Sequence, residues 1–401
     1  MSESAKRKAP LALIFITAWF TYLCAYLCRV NFSSALASLS SEKGISEDML
    51  GVIGALFFGI YALGQLVNGY LGDKVRANRF IICALSGTML CNLSVSFANR
   101  YWLILFLWGL NGCFQSMFWC TIIRILAQSI DESKRAAISS GISLAMPCGY
   151  LVSWGILGRL LDGRGARLYF LIPAVMCLPL LGAWLYISQR YRFDSAPETG
   201  NKNGIIGTFR FLEARGLIII IPICLLHGLI KEGVAYWTPL LMHSMGFTGW
   251  FNEYTAVCIL PVSNLIGITI SKYMLNRNAG KPFRILVVFM GFIALAAMGL
   301  EVKNDGLFMI ALMALISGLC YANNTVLLSF IPMQYVNDNM VSSLIGVFDF
   351  ASYLGAALST YALGRILASL GFKPLPFIWL GAASVAIVLS STLFVKQHSK
   401  K

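Results

Sequence analysis

The chain has 401 residues, of which 58% are hydrophobic and only 12% are charged. A soluble protein of this length would carry about twice that charged fraction, so the composition excludes an ordinary soluble protein. The formal net charge is +14. Most of the basic residues lie on or beside segments that an even number of membrane spans places in the cytoplasm, as the positive-inside rule describes. The positive charge therefore does not indicate a nucleic-acid partner.

Twelve apolar runs are long enough to cross a bilayer as helices, which takes about 20 residues each. In chain order these predicted spans are 11–39, 47–72, 78–98, 101–128, 134–160, 167–188, 215–242, 250–274, 282–300, 305–333, 338–366 and 374–395. We therefore predict an all-α protein of the cell (inner) membrane with twelve transmembrane helices. The even count places both termini in the cytoplasm.

The polar stretch 189–213 separates the first six spans from the last six. Its charged residues, Pro, Gly and Asn are typical of a linker. We predict an N-terminal bundle of residues 1–188, a cytoplasmic linker and a C-terminal bundle of residues 214–401. Weak repeats follow spans 2 and 8, and parallel repeats of six spans are the plan of one large transporter class. Such proteins bind substrate between their halves and expose it to each side in turn.

Two cations lie inside apolar runs, Arg29 in the first span and Lys231 in the seventh. A charge at the centre of a membrane costs about 2.5–3.5 kcal/mol even on lenient insertion scales, and such residues are usually functional. One cation at matching positions of each half predicts a central site for an anion that crosses the membrane. The alternative is an internal ion pair that only orders the helices.

The loop after span 2 runs Gly-Tyr-Leu-Gly-Asp73-Lys74-Val-Arg-Ala-Asn-Arg79. It matches the G-x-L-x-D-[RK]-x-x-x-x-[RK] signature of the major facilitator superfamily, and the twelve spans accordingly predict the fold of that superfamily. We expect Asp73, Lys74 and Arg79 to act in a gate on the cytoplasmic side, where Asp73 can pair with cations or a helix N-terminus. Arg124, toward the cytoplasmic end of span 4, is a further candidate for this gate.

Motifs in spans 1, 4, 7 and 11 show a more specific resemblance, to a single family of transporters. They are Tyr26-Leu-Cys-Arg29-Val-Asn31-Phe32, Gly112-Cys-Phe114-Gln115-Ser-Met117-Phe-Trp119, Lys231-Glu232-Gly233-Val-Ala-Tyr-Trp237-Thr-Pro239 and Tyr353-Leu-Gly355. Together they resemble the organophosphate:phosphate antiporter family, which includes the glycerol-3-phosphate and hexose-phosphate transporters. The resemblance implies exchange of a phosphate ester for inorganic phosphate. It also implies phosphate-binding cations at Arg29 and Lys231, and tyrosines at Tyr26 and Tyr61.

Several positions depart from that family. Gln65 and Met146 stand where the family has a lysine and a histidine, and Glu232 and Asp349 add carboxylates, so the predicted pocket is less positive. An Arg and a Lys could hold a phosphate dianion or a carboxylate equally well. The residues that we predict to bind substrate are Arg29, Lys231, Tyr26, Tyr61, Gln115, Trp119, Asn323, Asp349 and Tyr353.

Three residues are candidates for proton coupling. Asp349 and Glu232 could each carry a proton or neutralise Lys231. Glu232 points about 100° away from Lys231 around the helix, so contact with another helix is an alternative. His227 precedes Lys231 by four residues, which places both on one helix face. Imidazole titrates near physiological pH, and a packing role competes with a coupling role.

The expected function is secondary transport of a small organic anion. A proton-coupled symporter of carboxylates such as sugar acids is one alternative, favoured by Asp349 and Glu232. A membrane receptor for sugar phosphate is the other.

The three histidines lie far apart and no P-loop is present, so we expect neither an enzyme nor an ATP-driven pump. All eleven cysteines lie in predicted spans and are interpreted as packing residues. We expect no cofactor, no metal, and a monomer in the lipid bilayer.

Overall fold

The computed structural model describes residues 7–8, 10–72, 75–129, 141–142, 144–192, 204–245, 258–277, 281–301, 306–335 and 341–398. Nearly all of these residues are helical, because hydrocarbon offers backbone N–H and C=O groups no partner outside the segment itself. Within the described residues, nine helices are long and apolar enough to cross a membrane.

The helices of the N-terminal part follow the predicted spans closely. They are α1 (Leu11–Ser34), α2 (Leu36–Lys43), α3 (Glu47–Gly72), α4 (Ala77–Phe97), α5 (Tyr101–Gln115), α6 (Phe118–Ser129), α7 (Ala145–Tyr150), a π-helical turn (Leu151–Leu157), α8 (Gly158–Leu161) and α9 (Ala166–Arg190). Two short parallel strands, β1 (Arg7–Lys8) and β2 (Tyr191–Arg192), pair Arg7 with Tyr191. Apart from this pair, the described part of the chain confirms the all-helical prediction.

The described C-terminal part is also helical. Its helices are α10 (Gly204–Arg215), α11 (Ile220–Ser244), α12 (Ile259–Arg277), α13 (Pro282–Gly299), α14 (Gly306–Thr325), a π-helical turn (Val326–Phe330), α15 (Ile331–Met333), α16 (Val341–Leu370) and α17 (Leu375–His398). The π-helical turns interrupt two predicted spans, 134–160 and 305–333. Such turns are rare, and they are frequent at functional sites.

Two predicted spans are each divided into a pair of helices. The span 101–128 breaks after Gln115, where the Ser116 hydroxyl donates to the carbonyl of Cys113 at 2.7 Å and accepts from the Asn68 amide at 2.6 Å. The span 11–39 breaks at Ala35, whose N–H is shared between two carbonyls of the preceding turn. Serine side chains that bond to the backbone compete with the regular helical pattern, which explains the first break.

The residues group into two compact units. Unit 1 contains Met1–Gly44 and Val67–Gly200, and unit 2 contains Ile45–Leu66 and Asn201–Lys401. Helix α3 is therefore divided, with most of its length in unit 2. The bundle boundaries predicted at the linker 189–213 stay a prediction.

Unit 1 is built around α1, which packs on α7 and α9, while α4 packs on α5 and α9. A Cβ atom added at Gly149 of α7 would lie 2.5 Å from the Cβ of Tyr26, so glycine lets α7 and α1 approach closely. At the start of α9, the backbone N–H of Ala166 donates to the Glu42 carboxylate at 2.9 Å. A carboxylate is favoured there by the positive end of the helix dipole.

Unit 2 depends on close backbone contact between helices. A Cβ atom added at Gly228 of α11 would lie 1.8 Å from the Ser352 carbonyl oxygen of α16, and one at Gly355 would lie 1.9 Å from the Leu225 carbonyl oxygen. Helices in lipid associate through such small residues, because the hydrocarbon supplies no hydrophobic drive between them. The first half of α3 joins this unit, where the Tyr236 hydroxyl donates to the Leu50 carbonyl at 2.9 Å.

We expect Gly228→Ala to destabilise the protein, because the new methyl group would clash with the Ser352 carbonyl oxygen, a backbone atom that cannot rotate away as a side chain can. Overpacking of this kind costs about 1–3 kcal/mol. The measurement is the melting temperature of the purified protein in detergent. Gly346→Ala on α16 is the matched control, since nothing lies within 4 Å of its added Cβ. Equal melting temperatures for the two variants would contradict the tight contact of α11 with α16.

Candidate functional site

Arg29, the predicted cation of the first half, lies in the middle of unit 1. Its side chain is buried, and its guanidinium carbon lies 5.5 Å from the ring centroid of Tyr26, three residues earlier on α1. Attraction between a cation and an aromatic face grows when water is excluded. The structure thus places two of the predicted binding residues in direct contact.

A group of aromatic rings surrounds Tyr26. The ring centroids of Tyr22 and Tyr150 lie 5.2 Å and 5.6 Å from that of Tyr26, and Trp119 lies 5.0 Å from Tyr22. The predicted residue Trp119 therefore belongs to the same group through Tyr22. Sequence reasoning missed Tyr22 and Tyr150, although Tyr22 lies one helical turn before Tyr26 and shares its face.

Amide side chains from two other helices bond to the backbone of α1 beside Arg29. Gln115 donates to the carbonyl of Ala25 at 3.0 Å. Asn92 and Asn111 both donate to the carbonyl of Cys28, at 3.1 Å and 3.0 Å. A carbonyl oxygen has two lone pairs, so it can accept these bonds in addition to its helical one. The turn that carries Arg29 is thus held from α4 and α5. Sequence reasoning missed Asn92 and Asn111, although both are polar residues inside predicted apolar spans.

Lys231, the predicted cation of the second half, lies in unit 2 and pairs with its neighbour Glu232. The ammonium nitrogen is 2.9 Å from a Glu232 carboxylate oxygen, and both side chains are buried. Adjacent helix residues do not normally face each other, but these two long side chains bend toward each other. Removing one partner of a buried ion pair strands the other charge, which is strongly destabilising.

Tyrosine rings lie beside this ion pair. The Lys231 ammonium nitrogen is 5.5 Å from the ring centroid of Tyr353 and 5.7 Å from that of Tyr321. The rings of Tyr61 and Tyr353 lie 4.3 Å apart. Helices α3, α11, α14 and α16 thus bring together three predicted residues, Lys231, Tyr61 and Tyr353. Tyr321 is an addition that the sequence reasoning missed.

Two adjacent asparagines lie on α14, two and three residues after Tyr321. The Asn324 side-chain oxygen is 3.5 Å from Nε2 of His227, which lies one turn before Lys231. Asn323 is completely buried, and neither atom of its side-chain amide bonds to any described residue. A buried amide without a protein partner is costly, which makes Asn323 the clearest candidate here for a hydrogen bond to a ligand.

Asp349 is a buried carboxylate on α16. Helix α16 packs against α11, the helix that carries Lys231. The role of Asp349 in proton coupling stays a prediction, as do those of Glu232 and His227.

Of the four predicted gating residues, only Arg79 has its side chain in the described part of the chain. Asp73 and Lys74 lie outside the described residues, and so does the side chain of Arg124, which belongs to α6. Arg79 lies in the first turn of α4 with an exposed side chain, and its backbone N–H donates to the Asn78 side-chain oxygen at 2.9 Å. The gate therefore stays a prediction.

Comparison with known proteins identifies the family. Residues 18–360 match the sequence profile described as the Major Facilitator Superfamily. Two relatives align over nearly the whole chain at low identity. A probable hexose phosphate transport protein of Chlamydia pneumoniae is 20% identical over 94% of this chain and 89% of its own length. A phosphoglycerate transporter protein of Salmonella typhimurium is 21% identical over 89% of this chain and 83% of its own length.

The fold has counterparts among solved structures. The crystal structure of a point mutant of the nucleoside transporter NupG superimposes with a TM-score of 0.74 over 96% of this chain and 99% of that one, at 14% identity. At this identity the likeness concerns the fold alone. It confirms the predicted major facilitator fold, and the profile match covers most of the chain. The chain therefore belongs to the major facilitator superfamily and is a multi-pass membrane transporter, not an enzyme.

Proposed function

We propose that this transporter exchanges a small phosphate ester for inorganic phosphate by alternating access. The observation that carries the proposal is one buried cation in each unit, Arg29 and Lys231, each beside tyrosine rings. Relatives named as hexose phosphate and phosphoglycerate transporters support the same substrate class. Charged side chains inside a membrane are costly and usually mark the path of a substrate, so two buried cations in a transporter favour an anionic ligand.

Arg29 supplies the geometric part of phosphate recognition. A guanidinium is a planar fork of N–H donors that binds two phosphate oxygens at once. The bonds from Gln115, Asn92 and Asn111 to the backbone of α1 hold the turn that carries this fork. In this proposal Gln115 acts by positioning Arg29, and Tyr26 and Trp119 line the site.

Lys231 supplies a point charge whose present partner is Glu232. The ammonium group has three donors, so a phosphate oxygen would bond to it beside the Glu232 carboxylate, with hydroxyl groups of Tyr61 and Tyr353 and the amide of Asn323 as further donors. In this exchange scheme the site is required to hold an anion before it reorients, because the bound anion lowers the cost of carrying the charges of Arg29 and Lys231 through the apolar interior. That requirement couples the exit of one anion to the entry of the other.

The orientation in the membrane and the cytoplasmic gate belong to the same proposal. We place the protein as a monomer in the inner membrane, with both termini in the cytoplasm and bundles at 1–188 and 214–401 that move against each other. Asp73, Lys74, Arg79 and Arg124 would form the cytoplasmic gate. The distribution of basic residues along the chain supports this orientation.

A second candidate function is proton-coupled symport of a carboxylate. The ion pair between Lys231 and Glu232 favours it, because protonation of Glu232 would release Lys231 to bind a substrate carboxylate. Asp349 is a second buried acid that could take part. In this scheme a proton, rather than a second anion, compensates the charges of the site.

Exchange can be measured with purified protein in liposomes that are preloaded with labelled phosphate. A panel of sugar phosphates, glycerol phosphate and sugar acids is added outside, and exit of the label is followed. We expect a phosphate ester to stimulate exit, without dependence on a proton gradient. Uptake of a sugar acid that needs a proton gradient and no internal phosphate would instead establish the symporter. Binding of a sugar phosphate without any flux would establish a receptor.

Arg29→Lys should lower phosphate exchange about 10- to 100-fold although the positive charge is kept, because the second charge-assisted hydrogen bond is lost and such bonds contribute about 1.5–3 kcal/mol. Initial exchange rates in the same liposomes provide the measurement. Arg159→Lys, at an exposed position of α8, is the matched control and should leave the rate unchanged. Near-normal exchange by Arg29→Lys would disprove two-point binding of phosphate by Arg29.

Asn323→Leu should raise the KM for the phosphate ester about tenfold or more while the melting temperature stays the same or rises. The amide bonds to no described residue, so replacing it by an apolar group of similar shape removes a buried polar cost of about 1–3 kcal/mol. Asn92→Leu is the contrasting control. Its amide bonds to Cys28, Thr88 and Asn31, so its melting temperature should fall. An unchanged KM for Asn323→Leu would remove Asn323 from the site.

A further inference from the structure

Three thiols meet inside unit 1, apart from the residues of the proposed anion site. Cys24 and Cys28 lie one helical turn apart on α1, and Cys177 lies on α9. The Sγ of Cys177 is 3.5 Å from that of Cys24 and 3.6 Å from that of Cys28. All three side chains are buried, and their sulfur atoms lie within 4.8 Å of one another.

This thiol cluster has the dimensions of a three-coordinate metal site. Three sulfurs at about 2.3 Å from one metal in a plane lie about 4.0 Å apart. The distances from the Cys177 sulfur, 3.5 Å and 3.6 Å, are slightly shorter than that value, and all three sulfurs lie within 4.8 Å of one another, so small side-chain rotations would suffice to close the site. Among the described residues, no other group of three potential ligand side chains converges in this way.

We propose that the thiol cluster of Cys24, Cys28 and Cys177 binds one Cu(I) ion. Sulfur ligands are soft and select Cu(I) over hard cations. Structural zinc sites need four ligands, whereas within the described residues this cluster offers three. Its complete burial also keeps water from serving as a fourth ligand. Copper in the +1 state is bound without any change of oxidation state.

Binding would replace the present weak contacts of the thiols. Cys24 and Cys177 now direct their S–H groups toward the Pro173 carbonyl, at 3.9 Å and 3.5 Å. Each thiolate–copper bond that forms releases the thiol proton to water, so the apparent affinity increases with pH. The ion would connect α1 to α9 directly beside Arg29, which follows Cys28. Because the metal binds the folded state, it should raise the melting temperature.

The test uses the full chain with its eight other cysteines replaced by alanine, so that the thiol cluster alone can bind. Cu(I) is titrated under ascorbate against the chelator bicinchoninate. We expect one tightly bound equivalent, tighter at pH 8 than at pH 6, a higher melting temperature, and an X-ray absorption spectrum with three sulfur neighbours. Cys177→Ser in this background should weaken binding at least tenfold. Absence of the tight equivalent in folded protein would overturn the proposal.

A second comparison covers the case in which the eight substitutions prevent folding. In the otherwise unchanged chain, Cys177→Ser should lose one tight equivalent of Cu(I). Cys320→Ser, which removes a buried thiol of unit 2, should retain it. Equal stoichiometry in the two variants would overturn the proposal. So would mass spectrometry showing that two of the three thiols form a disulfide in the purified protein.

Discussion

Charge in an apolar interior must be compensated, and both units are organised around this requirement. In unit 2 the ammonium group of Lys231 lies against the Glu232 carboxylate and over two tyrosine rings. In unit 1 the guanidinium of Arg29 lies over Tyr26. The free energy of burying an ion is recovered only through such partners. In the proposed exchange, a bound anion would add to the compensation of these charges.

The close packing of glycine-bearing helices makes these compensating contacts possible. At Gly228 and Gly355 the backbones of α11 and α16 approach so closely that a methyl group would overlap a carbonyl oxygen. That approach brings Tyr353 within reach of Lys231, which lies three residues after Gly228. The helix contact and the surroundings of Lys231 are therefore not separate features of unit 2. The same small residues that let the helices associate also place the ring beside the charge.

Unit 1 uses polar side chains for the same purpose. Three amides from α4 and α5 bond to carbonyls of a single stretch of α1. Hydrogen bonds between helices in lipid are modest individually, but together they fix the turn that carries Arg29. The thiol cluster lies on this stretch as well, since Cys28 both belongs to the cluster and offers the carbonyl that Asn92 and Asn111 share. A metal in the cluster would add a further constraint to the same turn.

The order of apolar and polar residues along the chain was sufficient to predict its helical, membrane-spanning character and the ends of most helices. The predicted span 47–72 is α3 itself, and 78–98 differs from α4 by one residue at each end. Hydrophobic runs of this length have few alternatives in a bilayer, because the backbone must bond within its own segment. The unusual positions of Arg29 and Lys231 were equally visible, since charge in an apolar run is conspicuous.

Which side chains meet depends on how the helices pack in three dimensions. Cys177 lies 149 residues from Cys28, so the cysteines were interpreted as packing residues and their convergence could not be read from spacing. The pairing of Lys231 with Glu232 depends on side-chain torsions that the helical period does not fix. The break at Ser116 depends on an amide from α3. The helical repeat of a sequence predicts which face of its own helix a residue occupies. Which residues of other helices it contacts depends on how the helices pack.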